Sequence, residues 1–281
     1  MDKTLLKIDS SLEKNKIISF IKAVLKKEGF ENVVIGMSGG VDSTTSFYLL
    51  KEVVPPQNIF IAHLYYFDSH FKDIEDILKD AKIPKDNIYE MSIEPLLKAF
   101  QKILEFTPKP LVSFPRKRES RFPIKSGMTN NDSIDKVRLG NIMARIRMII
   151  IYDLAKKHNA LVAGTENQSE YLLGYFTRFG DQASDFEPIQ HLYKTQVYQL
   201  AKFLGVPKNI IEKEPTAGLW NGQTDEGEFG FTYQEADQVL YLYYDKKLKL
   251  EKIKKKGFRN AEKIIKFSLK NSYKHHAPYS L

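Results

Sequence analysis

Two adjacent glycines flanked by serines, with an aspartate close behind, occur in the stretch Gly36, Met37, Ser38, Gly39, Gly40, Val41, Asp42 and Ser43. Glycine lets the backbone turn tightly and present its N–H groups, and the serine hydroxyls add donors. A helix beginning near Asp42 points its positive end at the same spot. That combination suits a polyphosphate. It is not a Walker A loop, because no lysine follows in G-x-x-x-x-G-K-[ST] spacing, and it is not G-x-G-x-x-G. An aspartate inside an anion cradle makes sense when a divalent cation bridges it to phosphate, so ATP and Mg2+ are the expected ligands. Such a turn would hold pyrophosphate as it leaves, with attack falling on the α-phosphorus.

The elements around this turn alternate. Apolar spacing predicts a helix over 12–27 and a β-branched run predicts a strand over 32–35, followed by the glycine turn and a helix that the Pro55–Pro56 pair closes. Strands are expected over 58–64, 87–91 and 160–163, and helices over 73–81, 94–106, 139–157, 195–204 and from Gln234 onward. The fold class is therefore α/β: a doubly wound, mostly parallel sheet flanked by helices, with a helical C-terminal extension. After Gly164 the pattern loosens into loop-rich chain, which is where open sheets bind ligands. The whole of 1–281 is expected to form a single domain, with a flexible insertion at 107–136 and a basic helical part at 234–281. The insertion carries four prolines, the cluster Arg116, Lys117, Arg118 and Arg121, and no periodicity.

Composition narrows the chemistry. The chain of 281 residues has no cysteine, which excludes disulfides, thiolate metal centres, persulfide relays and a cysteine glutaminase nucleophile. No apolar run is long enough for a membrane span, and the N-terminus does not read as a secretory signal, so a cytoplasmic protein is expected. The net charge of +8 is concentrated in 245–274, where twelve Lys or Arg stand against Asp245, Glu251 and Glu262. Leu248, Leu250, Ile253, Phe258, Ile264, Ile265 and Leu269 share that stretch, which fits helices with one packed face and one solvated cationic face better than a nucleic-acid site.

The run SGGVDS resembles the signature of the N-type ATP pyrophosphatases. Four later blocks, NIMARIRM (141–148), GTENQSEYLLGYFTRFGD (164–181), PIQHLYKTQVYQLAKFLGVP (188–207) and EPTAGLWNGQTDEGEFGFTY (214–233), resemble the NAD synthetase family in order. The resemblance implies that nicotinate adenine dinucleotide (deamido-NAD) is activated by ATP to an acyl adenylate, which ammonia converts to NAD with release of AMP. It implies Asp42 and Glu170 as magnesium ligands. Contacts to ATP fall on residues 36–43, Arg147, Thr165, Lys194 and Thr216. Arg145, Arg178, Asp185, Tyr273 and Lys274 fall on the deamido-NAD contacts. Lys194 would stabilise the departing phosphates, and Asp181 would orient or deprotonate ammonium. A homodimer is also implied.

Three departures from the family pattern are visible. Gln182 and Ala183 stand where two glycines are usual, Tyr273, Lys274 and His275 replace His-Lys-Arg, and the region 65–70 lacks the usual polar pattern. Glutamine-dependent members carry an amidase domain with a cysteine, so ammonia is the expected nitrogen donor here, delivered free or by a separate glutaminase. The alternatives are another N-type pyrophosphatase, such as a GMP synthetase or thiolation enzyme, and a non-catalytic nucleotide-binding module with a basic, polyanion-binding C-terminal part.

Overall fold

The computed structural model describes residues 4–67, 69–105, 130–220 and 222–276. The chain runs α1 (Ser10–Glu28), β1 (Asn32–Gly36), α2 (Val41–Leu50), β2 (Ile59–Tyr65), α3 (Lys72–Asp80), β3 (Ile88–Ser92), α4 (Glu94–Glu105), α5 (Asn130–Lys157) and β4 (Ala160–Ala163). Then follow α6 (Gln168–Leu173), α7 (Lys194–Leu204), α8 (Lys208–Ile211), α9 (Asp225–Phe229), α10 (Tyr233–Leu240), α11 (Leu250–Lys254) and α12 (Ala261–Asn271).

The strands form a parallel sheet in the order β3-β2-β1-β4. Its period-2 alternation explains why helices lie on both faces. Val33, Ile35, Ile59, Ile61, Leu161 and Ala163 bury against α1, α2, α3 and α7. The intervening Val34, Phe60, Ala62, Ala160 and Val162 bury against Leu154 and Ala155 of α5. The expected doubly wound α/β fold is what the chain adopts.

A second core of Leu172, Phe229, Phe231, Val239, Ile253, Phe258, Ile264 and Ile265 joins α6 to α9–α12. The basic stretch thus has the packed face expected of it, with one correction: Leu269 is exposed. Ser268 takes the inward position instead, donating to the Leu172 carbonyl at 2.5 Å and pairing with the Tyr244 hydroxyl at 2.6 Å.

Other boundaries also move. The strand expected over 58–64 starts one residue later, because Pro56–Asn58 forms a 3-10 turn. The helix expected over 139–157 begins at Asn130, so the end of the supposed insertion is helical. Its central part, with the Arg116–Arg121 cluster, lies outside the described residues. The chain after Gly164 holds three short helices that apolar spacing does not announce, α6, α8 and α9. No described helix is long and apolar enough to cross a membrane.

Candidate active site

The glycine turn connects the C-terminal end of β1 to α2. Gly39 takes a left-handed φ of 78°, and Gly40 precedes the helix with no side chain capping it, so the first N–H groups of α2 stay open toward a ligand. Ser38 and Ser43 stiffen the turn: Gly40 N donates to Ser38 Oγ at 3.2 Å, and the two hydroxyls lie 3.2 Å apart. Met37 and Val41 bury their side chains in the core and offer only backbone to the turn. His63, which the motif gives no hint of, places Nδ1 2.7 Å from the Met37 carbonyl, tying the turn to β2. Burial lowers its pKa and favours the neutral ring.

Three of the sequence-nominated groups meet. Lys194 Nζ lies 2.5 Å from Asp42 Oδ2 and 3.3 Å from Glu170 Oε1, with its side chain 3% exposed. Each is fixed by local structure. Asp42 sits in the first turn of α2 and accepts from Asn167 Nδ2 at 3.0 Å. Asn167 caps α6, and Glu170 completes the capping box by reaching back to the Asn167 N–H. Lys194 opens α7, where its N–H donates to Ser169 Oγ at 2.8 Å. Asp237, fully buried on α10, accepts from Ser169 Oγ at 2.6 Å and from Thr195 N at 2.8 Å. One carboxylate thereby holds the start of α7 against α6.

Electrostatics bind the group further. Burial opposes charge on Lys194, but Asp42 and Glu170 outweigh it and hold the ammonium protonated well above its usual range. Burial raises the Glu170 carboxyl, and Asp42 and Asp225 push the same way while Lys194 opposes. Asp225, buried at the start of α9, accepts from the Tyr233 hydroxyl at 3.0 Å and leaves Oδ1 without a partner. It feels both Lys194 and Asp42 and belongs to the cluster. A lone aspartate in TDEGEFG gives no sequence signal of that. Asp42 and Glu170 pair with one ammonium and Asp225 adds negative charge that acts on it. Among the described residues no group of three or more such side chains is placed to hold a metal ion by itself. Asp42 and Glu170 fit an ion that takes its other oxygens from phosphate and water.

The remaining nominated residues divide. Thr165 follows the tip of β4 and is partly buried. Arg147 reaches from α5 to donate Nε to the Leu64 carbonyl at 3.0 Å, at the same end of the sheet, and its charge acts on Asp181. Asp181 Oδ1 accepts from Thr177 N at 2.9 Å. Arg145 donates to the Arg178 carbonyl at 3.1 Å, and Arg178 donates to the His276 carbonyl at 3.4 Å, so α5, the loop after α6 and the C-terminal turn meet there. Thr216 is exposed, accepts the N–H of Gly218, and neighbours Pro215, whose carbonyl accepts Asp225 N at 3.0 Å.

Other side chains are committed elsewhere. Asp185 Oδ2 accepts Val162 N at 2.7 Å on the outer edge of β4. Lys274 donates to the carbonyls of Gly174 and Phe176, at 2.7 Å each, while Tyr273 is exposed. His275 stacks on Tyr171 with centroids 4.3 Å apart, so the altered Tyr-Lys-His run anchors the C-terminal turn to α6. Gln182 and Ala183 cause no strain, because the left-handed position of this loop is Phe179, with φ 61°.

The model of the NAD synthase family matches residues 13–278. The chain belongs to the NAD synthase family. An NH(3)-dependent NAD(+) synthetase of Thermococcus kodakarensis is 40% identical over 252 residues, covering 88% of this chain and 87% of that one. Two solved structures align with nearly all of it. An NMN synthetase from Francisella tularensis gives a TM-score of 0.76 at 29% identity, covering 98% of this chain and 99% of that one. An NH3-dependent NAD synthetase from Campylobacter jejuni gives 0.71 at 29% identity, covering 98% and 100%. Membership favours a family enzyme over a nucleotide-binding module without turnover and over the other pyrophosphatases.

Proposed function

We propose that this chain is an ammonia-dependent NAD synthetase, a ligase joining ammonia to the carboxyl group of deamido-NAD at the expense of ATP. The observation that carries the reading is Lys194 held between Asp42 and Glu170 beside the uncapped start of α2. In the first half-reaction the pyridine carboxylate attacks the α-phosphorus, the bond to the bridging oxygen breaks, and pyrophosphate leaves. The open N–H groups at 41–43 and Lys194 hold the departing oxygens, whose charge grows as the bond lengthens. Arg147, Thr165 and Thr216 border this end of the sheet and contact ATP. Asp42 and Glu170 would hold Mg2+, which when bound neutralises polyphosphate charge.

In the second half-reaction ammonia attacks the acyl carbon, AMP leaves, and Asp181 takes the surplus proton. Arg145, Arg178 and Tyr273 border the place for the dinucleotide. Asp185 and Lys274, whose side chains also hold the Val162 amide and the Gly174 and Phe176 carbonyls, are its further contacts. The working form is a cytoplasmic homodimer that takes ammonia free or from a separate glutaminase.

The test is to incubate the chain with ATP, Mg2+, ammonium and deamido-NAD. Equal amounts of NAD and AMP are expected, with none when glutamine replaces ammonium. ATP binding without NAD formation would overturn the reading. Because one structural neighbour is an NMN synthetase, a parallel reaction with nicotinate mononucleotide measures which deamido substrate is preferred.

A further inference from the structure

Beyond Thr165, at the tip of β4, lies a pair of carboxylates that the reaction above does not use. Glu166 is 6% exposed; its Oε2 accepts Gln190 Nε2 at 2.8 Å, and its Oε1 is buried with no partner. Glu187 is packed beside it. Its Oε2 accepts Glu166 N at 3.0 Å, and its Oε1 accepts Ser184 Oγ at 2.7 Å. The Glu187 carboxylate also presses on Gly164 so closely that a Cβ there would lie 1.9 Å from Oε1. Asp181, the group proposed to meet ammonia, acts electrostatically on both glutamates. Asp181 is exposed and Glu187 partly so, whereas Glu166 is buried.

Nearby cations make no ion pair with the two glutamates. Lys274 senses Asp181 and Glu166, but its Nζ is bound to two carbonyls, and Arg147 is bound to Leu64. Among the described residues no ion pair reaches Glu166 or Glu187. A buried carboxylate oxygen without a donor costs stability unless a proton or a cation meets it. We infer that Glu166 and Glu187 form an ammonium-binding site that supplies the nitrogen donor to Asp181. Ammonium brings both the positive charge and the N–H donors that Glu166 Oε1 lacks. Burial pushes Glu166 up to about 9 and Glu187 up to about 7, so ammonium takes its place by displacing a proton, and its binding tightens as pH rises through that range.

This inference rests on the synthetase reading, and its test separates the two. Initial rates of NAD formation are measured with the full chain against ammonium, at saturating ATP and deamido-NAD, for wild type, Glu166→Gln and the milder, partly exposed Glu187→Gln. The KM for ammonium is expected to rise about tenfold or more in each variant, with kcat within about threefold. The ammonia-independent exchange of labelled pyrophosphate into ATP, dependent on deamido-NAD, should persist. Potassium, similar in charge but lacking N–H donors, should compete with ammonium in wild type and lose that effect in the variants. An unchanged KM in both variants, or loss of exchange in parallel with NAD formation, would overturn the site. Absence of both exchange and NAD formation in wild type would overturn the synthetase reading itself.

Discussion

Lys194 shows how much can depend on one side chain. Its ammonium separates two carboxylates that would otherwise repel at close range in a poorly solvated place. Lys194→Met should abolish NAD formation and lower stability by about 3 kcal/mol. Millimolar Mg2+ should restore part of that loss, which thermal unfolding with and without the ion will measure. Asp42→Ala should keep the fold and reduce kcat by roughly a hundredfold or more, read as NAD formed per unit time. Glu166 predicts a pH effect of definite sign. Its carboxyl moves from an ordinary 4.5 to about 9 in the fold, so the folded chain holds more protons than the unfolded chain across that window. Stability must therefore fall as pH rises through it. Facing groups Glu187, Glu170, Asp181 and Lys274 are common to wild type and variant, so Glu166→Gln should show a flatter unfolding midpoint between pH 6 and 9. Asp42 is legible in the sequence from the glycine turn it follows, whereas Glu170 and Lys194 are legible only through the resemblance of their blocks to the family. Asp225, Glu166 and Glu187 are not legible there, since a single acid in a loop looks like surface charge until packing buries it.

At the scale of elements, short helices carry the site. α6 and α9 are six and five residues long, too short to be stable alone, and they persist because caps and neighbours satisfy their ends. The strands and long helices are plain in the sequence from their periodicity. These short pieces are not, although Asn167 with Glu170 is a capping-box signal. Asp237 is the keystone, joining the starts of α6 and α7 from a third helix. Asp237→Ala should lose about 2–3 kcal/mol by leaving buried donors unpaired, visible as a lower denaturation midpoint. It should also weaken catalysis, because Lys194 begins the helix it holds. Gly174 closes α6 at φ 63°, and a Cβ there would lie 2.5 Å from Asn271 Cβ on α12, which makes this glycine a contact as well as a turn. Neither fact can be read from its place in YLLGYF alone.

For the molecule as a whole, charge and apolar surface are segregated. The C-terminal helices present lysines outward and pair some of them locally, as Glu262 does with Lys254 and Lys266. α4 shows a different face: Leu96, Phe100 and Ile103 are 46%, 42% and 64% exposed at i, i+4 and i+7. For the homodimer proposed above, sedimentation should give twice 32.5 kDa. The opposite margin of the sheet is finished differently. Beyond β4 the chain returns alongside it: Asp185 N donates to the Val162 carbonyl at 2.9 Å, Gly164 N donates to the Phe186 carbonyl at 2.8 Å, and the Asp185 carboxylate covers the Val162 amide. Backbone groups that could recruit a foreign strand are already occupied, so accretion of further chains along this border is blocked by the same loop that carries Asp181, the acid proposed to meet ammonia.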